Sequence, residues 1–154
     1  MNDKTEIPEV HQHNCPFLAV DVIVEFPDNT ILFINRKYEP YGLAIPSGHV
    51  DYGESTEDAA RREFQEEVGL DVELVSLLGV YSDPKRDPRK HVCSVTYVGK
   101  VSDSVKQEDV IAASDALSVS FIHVDDIFCN AFAFDHEEIM KDYLAWRRLR
   151  GQVR

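Results

Sequence analysis

Apolar and polar positions change their spacing several times along the chain, and each change marks an element. From Phe17 the run FLAVDVIVEF is apolar and β-branched, broken by the charge of Asp21; PDNT then has turn chemistry, and ILFINRK resumes the pattern. That combination predicts a β-hairpin over 17–37. A segment punctuated by glycine and proline, YEPYGLAIPSGHVDYGE, leads to Ser55. Ser55 or Thr56 is suited to cap a helix running to about Val68, and Gly69 follows at the position that favours a left-handed backbone. DVELVSLLGVYS and HVCSVTYVGKV read as strands on either side of a basic loop, KRDPRKH at 85–91, and SVSFIHV as another strand. The last element, DHEEIMKDYLAWRRLR, opens on Asp135 with Glu138 three residues on, a variant of the capping box, and predicts an amphipathic helix ending at Gly151. Strands, helix, strands, helix imply an α+β fold, an α/β/α sandwich around a mixed sheet.

At 154 residues, with no repeat, linker or low-complexity tract, the chain is expected to form one domain over 1–154, with 1–15 as a loose arm. His11, His13 and Cys15 in that arm match no metal-ligand spacing. With 44% hydrophobic and 29% charged residues the composition is that of a soluble globular protein. The apolar runs are too short to span a bilayer, the N-terminus lacks the apolar core of a secretion signal, and the three cysteines show no CxxC spacing. A cytoplasmic location is the expectation.

A formal net charge of −12 argues against nucleic acid and anionic membranes as partners, because the surface as a whole repels phosphate. A phosphate-bearing substrate would need local positive help, from a divalent cation or from the basic loop. Taken alone, that loop reads most simply as solvated charge.

The stretch REFQEE places Glu63, Glu66 and Glu67 at i, i+3 and i+4 on one helix face. Like charges at these spacings cost about 0.2–0.5 kcal/mol a pair in isolated helices, and their place near the helix C-terminus opposes the macrodipole. Arg61 and Arg62 offset only part of this. A solvated acidic face is the simple reading of three such residues; a hard divalent cation, which seeks carboxylate oxygens and ties them to phosphate, is the other.

The surrounding residues decide between the two. Gly48, five residues, Glu54, seven residues, then Arg62-Glu63-Phe64-Gln65-Glu66-Glu67-Val68-Gly69-Leu70 match the Nudix box, GX5EX7REUXEEXGU, at every fixed position. At average residue frequencies the match arises by chance at a given start with a probability on the order of 10⁻⁹. The sequence therefore resembles the Nudix hydrolases, and the order of elements outside the box fits that fold.

The resemblance implies that the box forms a loop-helix-loop and that the reaction is hydrolysis of a nucleoside diphosphate linked to another moiety, with Mg²⁺ or Mn²⁺ as cofactor. Glu63, Glu66 and Glu67, with the backbone carbonyl of Gly48, would hold the metal. Glu54 would sit in the same acidic group, and Arg62 would hold a box glutamate in place. Glu66 or Glu63 is expected as the general base, with Asp115 as the candidate outside the box. The segment LLGVYSDPKRDPRKHVCSVTY resembles the ADP-ribose pyrophosphatase branch, in which a proline lies about fifteen residues past the box, as Pro84 does here. Arg36, Arg86, Arg89 and Asp115 are then the expected substrate contacts, guanidinium groups being suited to phosphate. Phe17, Tyr41 or Tyr81 could stack on adenine, although each is more simply core or loop packing. His136 reads as part of a helix start rather than as a catalyst.

Two positions depart from the family pattern: Ser47 stands where glycine is common, and Ser118 where relatives often carry glutamate. The expected partner is a small nucleoside diphosphate, with a homodimer implied by the resemblance alone. Two alternatives stay open: a house-cleaning hydrolase of nucleoside triphosphates, and a nucleotide-sensing domain without turnover.

Overall fold

The computed structural model describes residues 14–113 and 116–151, without the side chains of 116, 117 and 151. Asp115, His11 and His13 lie outside the described residues. The element order is β1 (Phe17–Val24), β2 (Thr30–Arg36), β3 (Leu43–Ala44), β4 (Ser47–His49), α1 (Thr56–Val68), β5 (Glu73–Tyr81), β6 (Val92–Lys100), β7 (Ala116–His123) and α2 (His136–Gly151). They form the expected α+β architecture, a mixed sheet ordered β4-β1-β6-β5 and a second, antiparallel sheet ordered β3-β2-β7. Among the strand pairs of the described residues, β1–β6 is parallel and the others are antiparallel.

The apolar run of β1 makes it a central strand, buried on both faces. Val20, Val22 and Val24 share one cluster with Ala59, Ala60, Phe64 and Val68 of α1, while Ile23 packs with Val98 and with Ile139, Met140 and Tyr143 of α2. The same alternation divides β2, whose Leu32 and Ile34 join the first cluster and Ile31 and Phe33 the second. Phe64 is 1% exposed, so truncating it to alanine would cost about 3–5 kcal/mol and detach α1 from the sheet.

Two local expectations are corrected. Residues 17–37 do not make a paired hairpin. The turn closes as its chemistry predicts, with Phe26 donating to Thr30 at 2.8 Å and Asn29 to Phe26 at 3.0 Å, but β1 and β2 diverge into different sheets after a single bridge between Glu25 and Ile31. Each strand is apolar on both faces and gains more by lying between layers than by pairing with the other. At the start of α2 the capping box gives way to an ion pair, because both carboxylate oxygens of Asp135 are taken by Arg86.

Helix α1 forms as read. Ser55 Oγ accepts from Asp58 N–H at 3.1 Å, and Gly69, at φ 73°, donates its N–H to the Gln65 carbonyl at 2.9 Å. Its buried stripe runs through Ala60, Phe64 and Val68, which leaves Glu63 and Glu67 on the border of that stripe, beside β4.

Candidate active site

The acidic helix and β4 form one wall of a cleft of about 420 Å³. Glu63, Glu67, Ser47 and Gly48 line that wall. Gly48 is required by close approach: a Cβ built there would overlap the Glu63 carboxyl group. Ser47 N–H donates to Glu67 Oε2 at 3.2 Å, so the serine that replaces a common glycine still presents its backbone to the helix.

Arg62 organises the acidic group. Its Nε and Nη2 donate to Glu54 at 2.8 and 2.9 Å, its Nη1 to Glu63 at 2.8 Å and Glu66 at 3.4 Å, and Nη2 also reaches the His49 carbonyl at 3.0 Å. One guanidinium thus offsets part of the repulsion among three glutamates. The hydrogen bonds from Arg62 hold the Glu54 carboxyl down at about 2. Burial pushes Glu63 the other way, above the usual carboxylate range, against the pull of Arg62. Glu66 is placed differently from its neighbours: its side chain is 56% exposed and it does not line the cleft.

The same cleft is lined by three arginines. Arg86, an expected substrate contact from a loop that taken alone reads as solvated, is buried with its side chain only 5% exposed, and it donates Nε and Nη2 to Asp135 at 2.9 and 2.7 Å. No described residue accepts from its Nη1. Arg89 makes a two-pronged contact with the buried Asp87, at 3.0 and 2.9 Å. Burial raises the Asp87 carboxyl, but the hydrogen bonds from Arg89 bring it below its ordinary value. Arg36 donates Nε to the Pro40 carbonyl at 2.7 Å, with its guanidinium carbon 4.7 Å from the centre of the Phe134 ring.

Of the aromatic candidates, Tyr81 donates its hydroxyl to Asp142 and packs on the α2 core, and Tyr41 is exposed away from the cleft. Phe17 packs edge-on against His49 at the rim. The aromatics that line the cleft are Tyr38 and Phe134, neither of which was singled out from the sequence. Phe134 has φ 55°, an uncommon conformation for a bulky residue, found most often at functional positions. Asp21 and His136 are also buried against the cleft. Asp21 did leave a sequence signal, a lone charge at a core position of an apolar strand. Ser118 accepts a hydrogen bond from Asn35 at 2.7 Å.

A larger concavity, about 760 Å³, opens between the β1–β2 turn and the end of α2, but its cations are engaged. Arg147 is held by Glu25 and Asn29, Lys100 by Glu73, and Arg150 lies over Trp146. None of the box residues lines this concavity, whereas Gly48, Glu63 and Glu67 line the smaller cleft.

The acidic wall offers only hard oxygen donors, the type a divalent cation prefers, and Gly48 is the residue whose missing side chain makes room for Glu63. Among the described residues no three side chains by themselves converge on an ion position, since Arg62 stands between Glu54, Glu63 and Glu66. No helix among the described residues is long and apolar enough to cross a membrane.

The NUDIX domain model matches residues 16–146. An ADP-ribose pyrophosphatase of Methanocaldococcus jannaschii is 40% identical over 146 residues, 94% of this chain and 82% of that protein. A bifunctional NMN adenylyltransferase/ADP ribose pyrophosphatase from Francisella tularensis, solved in complex with AMP and a manganese ion, is 26% identical with a TM-score of 0.66. The match covers 85% of this chain and 42% of that one. The NUDIX domain of NrtR from Shewanella oneidensis, solved with ADP ribose, has a TM-score of 0.73 over 97% of this chain and 99% of its own, at 21% identity, a likeness of fold. With its box laid along the cleft wall and the domain model spanning nearly all of the described chain, the protein belongs to the Nudix family of hydrolases.

Proposed function

We propose that the chain hydrolyses ADP-ribose, or a closely related nucleoside diphosphate sugar, to a nucleoside monophosphate and a sugar phosphate. The observation that carries this reading is the lining of one cleft by Gly48 and carboxylates of α1 together with Arg36, Arg86 and Arg89. A cleft with that polarity suits a diphosphate held between cations. The 40% identity to a named ADP-ribose pyrophosphatase over most of both chains supports this choice of substrate.

In this reading Glu63, Glu67 and the Gly48 carbonyl would hold Mg²⁺ or Mn²⁺ in the cleft, with Glu66, exposed outside it, reaching the ion only from the edge of the acidic group. The bound ion would neutralise the diphosphate and make a coordinated water more acidic. Arg86 offers Nη1 to a phosphate oxygen while Asp135 fixes the rest of its guanidinium. Arg36 and Arg89 line the same cleft. Glu63 lines the cleft and is the candidate within the box to accept the proton of the attacking water. Arg62 keeps that carboxylate in position. Tyr38, exposed at the cleft, offers a face for the base. Assembly as a homodimer belongs to the same reading and rests on the family resemblance.

The test is incubation of the full chain with Mg²⁺ and a panel of ADP-ribose, NADH, diadenosine polyphosphates and deoxynucleoside triphosphates, with chromatography of the products. AMP and ribose 5-phosphate from ADP-ribose are expected, and Glu67→Gln should abolish them. Pyrophosphate released from the triphosphates, with ADP-ribose intact, would replace this reading with the house-cleaning one. Saturable ADP-ribose binding without turnover would point to a sensor.

A further inference from the structure

His136 is the first residue of α2 and is 2% exposed. Its Nδ1 accepts the backbone N–H of Ile45 at 3.0 Å. A backbone amide can only donate, so Nδ1 carries the lone pair and the ring proton resides on Nε2, 3.5 Å from Asp21 Oδ1. The other oxygen of Asp21 accepts from Ser94 and from Thr96, the latter at 3.0 Å. The imidazole is therefore fixed on both sides by buried groups.

The bond to Ile45 completes an interrupted ladder. Residues 131–133 run beside β3: Leu43 N–H donates to Ala131 at 2.9 Å, and Ala133 N–H to Leu43 at 2.9 Å. The next donor in the series is Ile45, but the chain has by then turned into α2, and the Ala133 carbonyl accepts instead from His136 N–H at 3.3 Å. The His136 ring supplies the acceptor that the ladder lacks. Ile45 is 1% exposed, so water cannot take its place.

Three residues beyond Ile45 is Gly48. The run between them is pinned by Val22 N–H donating to the Pro46 carbonyl at 3.0 Å, by Ser47 lying opposite Asp21, and by the Ser47–Glu67 bond. We infer that His136 is a positioning residue for the metal-binding backbone: by accepting the Ile45 N–H it fixes where β4 presents the Gly48 carbonyl to Glu63 and Glu67. It thereby sets the affinity for divalent ions without touching ion or substrate. This inference rests on the reading of Gly48 and the box glutamates as metal ligands.

The test measures Mn²⁺ binding to the full chain without substrate, by the electron paramagnetic resonance signal of free Mn²⁺, alongside thermal melts. His136→Leu removes the acceptor and should weaken binding about tenfold to a hundredfold, the usual effect of losing an outer-shell partner. His136→Asn places an amide oxygen close to where Nδ1 stands, and should bind nearly as wild type. His136→Gln carries the same amide one methylene too far, and should bind more weakly than Asn; it keeps the comparison open should the Leu variant not fold. A folded Leu variant with wild-type affinity, or an Asn variant no better than Gln, would overturn the inference. Glu67→Gln is the control: wild-type Mn²⁺ affinity there would overturn the metal reading itself.

Discussion

Arg62 meets Glu54 through two parallel hydrogen bonds, 2.8 Å from Nε and 2.9 Å from Nη2, and uses its remaining nitrogen on Glu63. That geometry belongs to a planar fork with five donors, which an ammonium group cannot reproduce. Arg62→Lys, although it conserves charge, is expected to lower turnover about 10–100-fold, as loss of a group that orients metal ligands does. Melting should change less than turnover, because lysine keeps a positive charge beside the partly buried Glu54. Steady-state kinetics of the wild type and Arg62→Lys at saturating Mg²⁺ would check this; an unimpaired lysine variant would mean that charge alone is what the position supplies.

Gly48 gives a steric prediction. Adding a methyl group there drives the Glu63 carboxylate out of its place without disturbing the apolar stripe of α1. Gly48→Ala should therefore fold, and should need roughly tenfold more Mg²⁺ or beyond for half-maximal activity. A melting curve and a Mg²⁺ titration of activity on the same sample separate the two effects.

What could be read from sequence was what local chemistry specifies. Ser55, Gly69 and the spacing of Ala60, Phe64 and Val68 define α1 from its own thirteen residues and the cap on either side. The β1–β2 turn was legible for the same reason, but turn chemistry does not say whether the strands beyond it stay paired. The fate of the basic loop was not legible at all: Arg86 is buried because Asp135, 49 residues away, comes to meet it. That meeting also took Asp135 from its expected capping role. Asp21 and His136 were visible as a charge in an apolar strand and a histidine at a helix start, yet their contact across the layers is a property of the fold.

Arg86 has two separable duties. Arg86→Ala leaves the Asp135 carboxylate, 20% exposed, without its partner, and should cost about 3 kcal/mol of stability. It also removes Nη1 from the cleft, so the KM for ADP-ribose should rise. Adding Asp135→Ala should recover much of the stability but none of the KM, since only the first effect arises from the unpaired carboxylate. Denaturant melts and kinetics on the two single variants and the double variant make the comparison; a KM restored together with stability would show that Arg86 serves the fold alone.

His136 also makes stability depend on pH. Burial lowers its pKa below the ordinary value of about 6.5, outweighing the nearby Asp21 carboxylate, with Arg86 and Arg36 acting in the same direction as burial and Asp135 against it. The unfolded chain therefore binds a proton at this position more readily than the folded one. The stabilisation is complete above pH 6.5 and is lost as pH falls through that value toward the folded pKa, by at most about 1.4 kcal/mol per pH unit for one proton. His49, whose pKa burial and Lys90 also lower, adds a slope of the same sign. Unfolding free energies measured from pH 8 to pH 5 should accordingly decline, and His136→Asn, which has no proton to gain, should flatten the part of the decline that His49→Gln leaves in place. A decline unchanged by His136→Asn would place its origin elsewhere, because a neutral amide cannot supply the proton uptake that the buried imidazole resists.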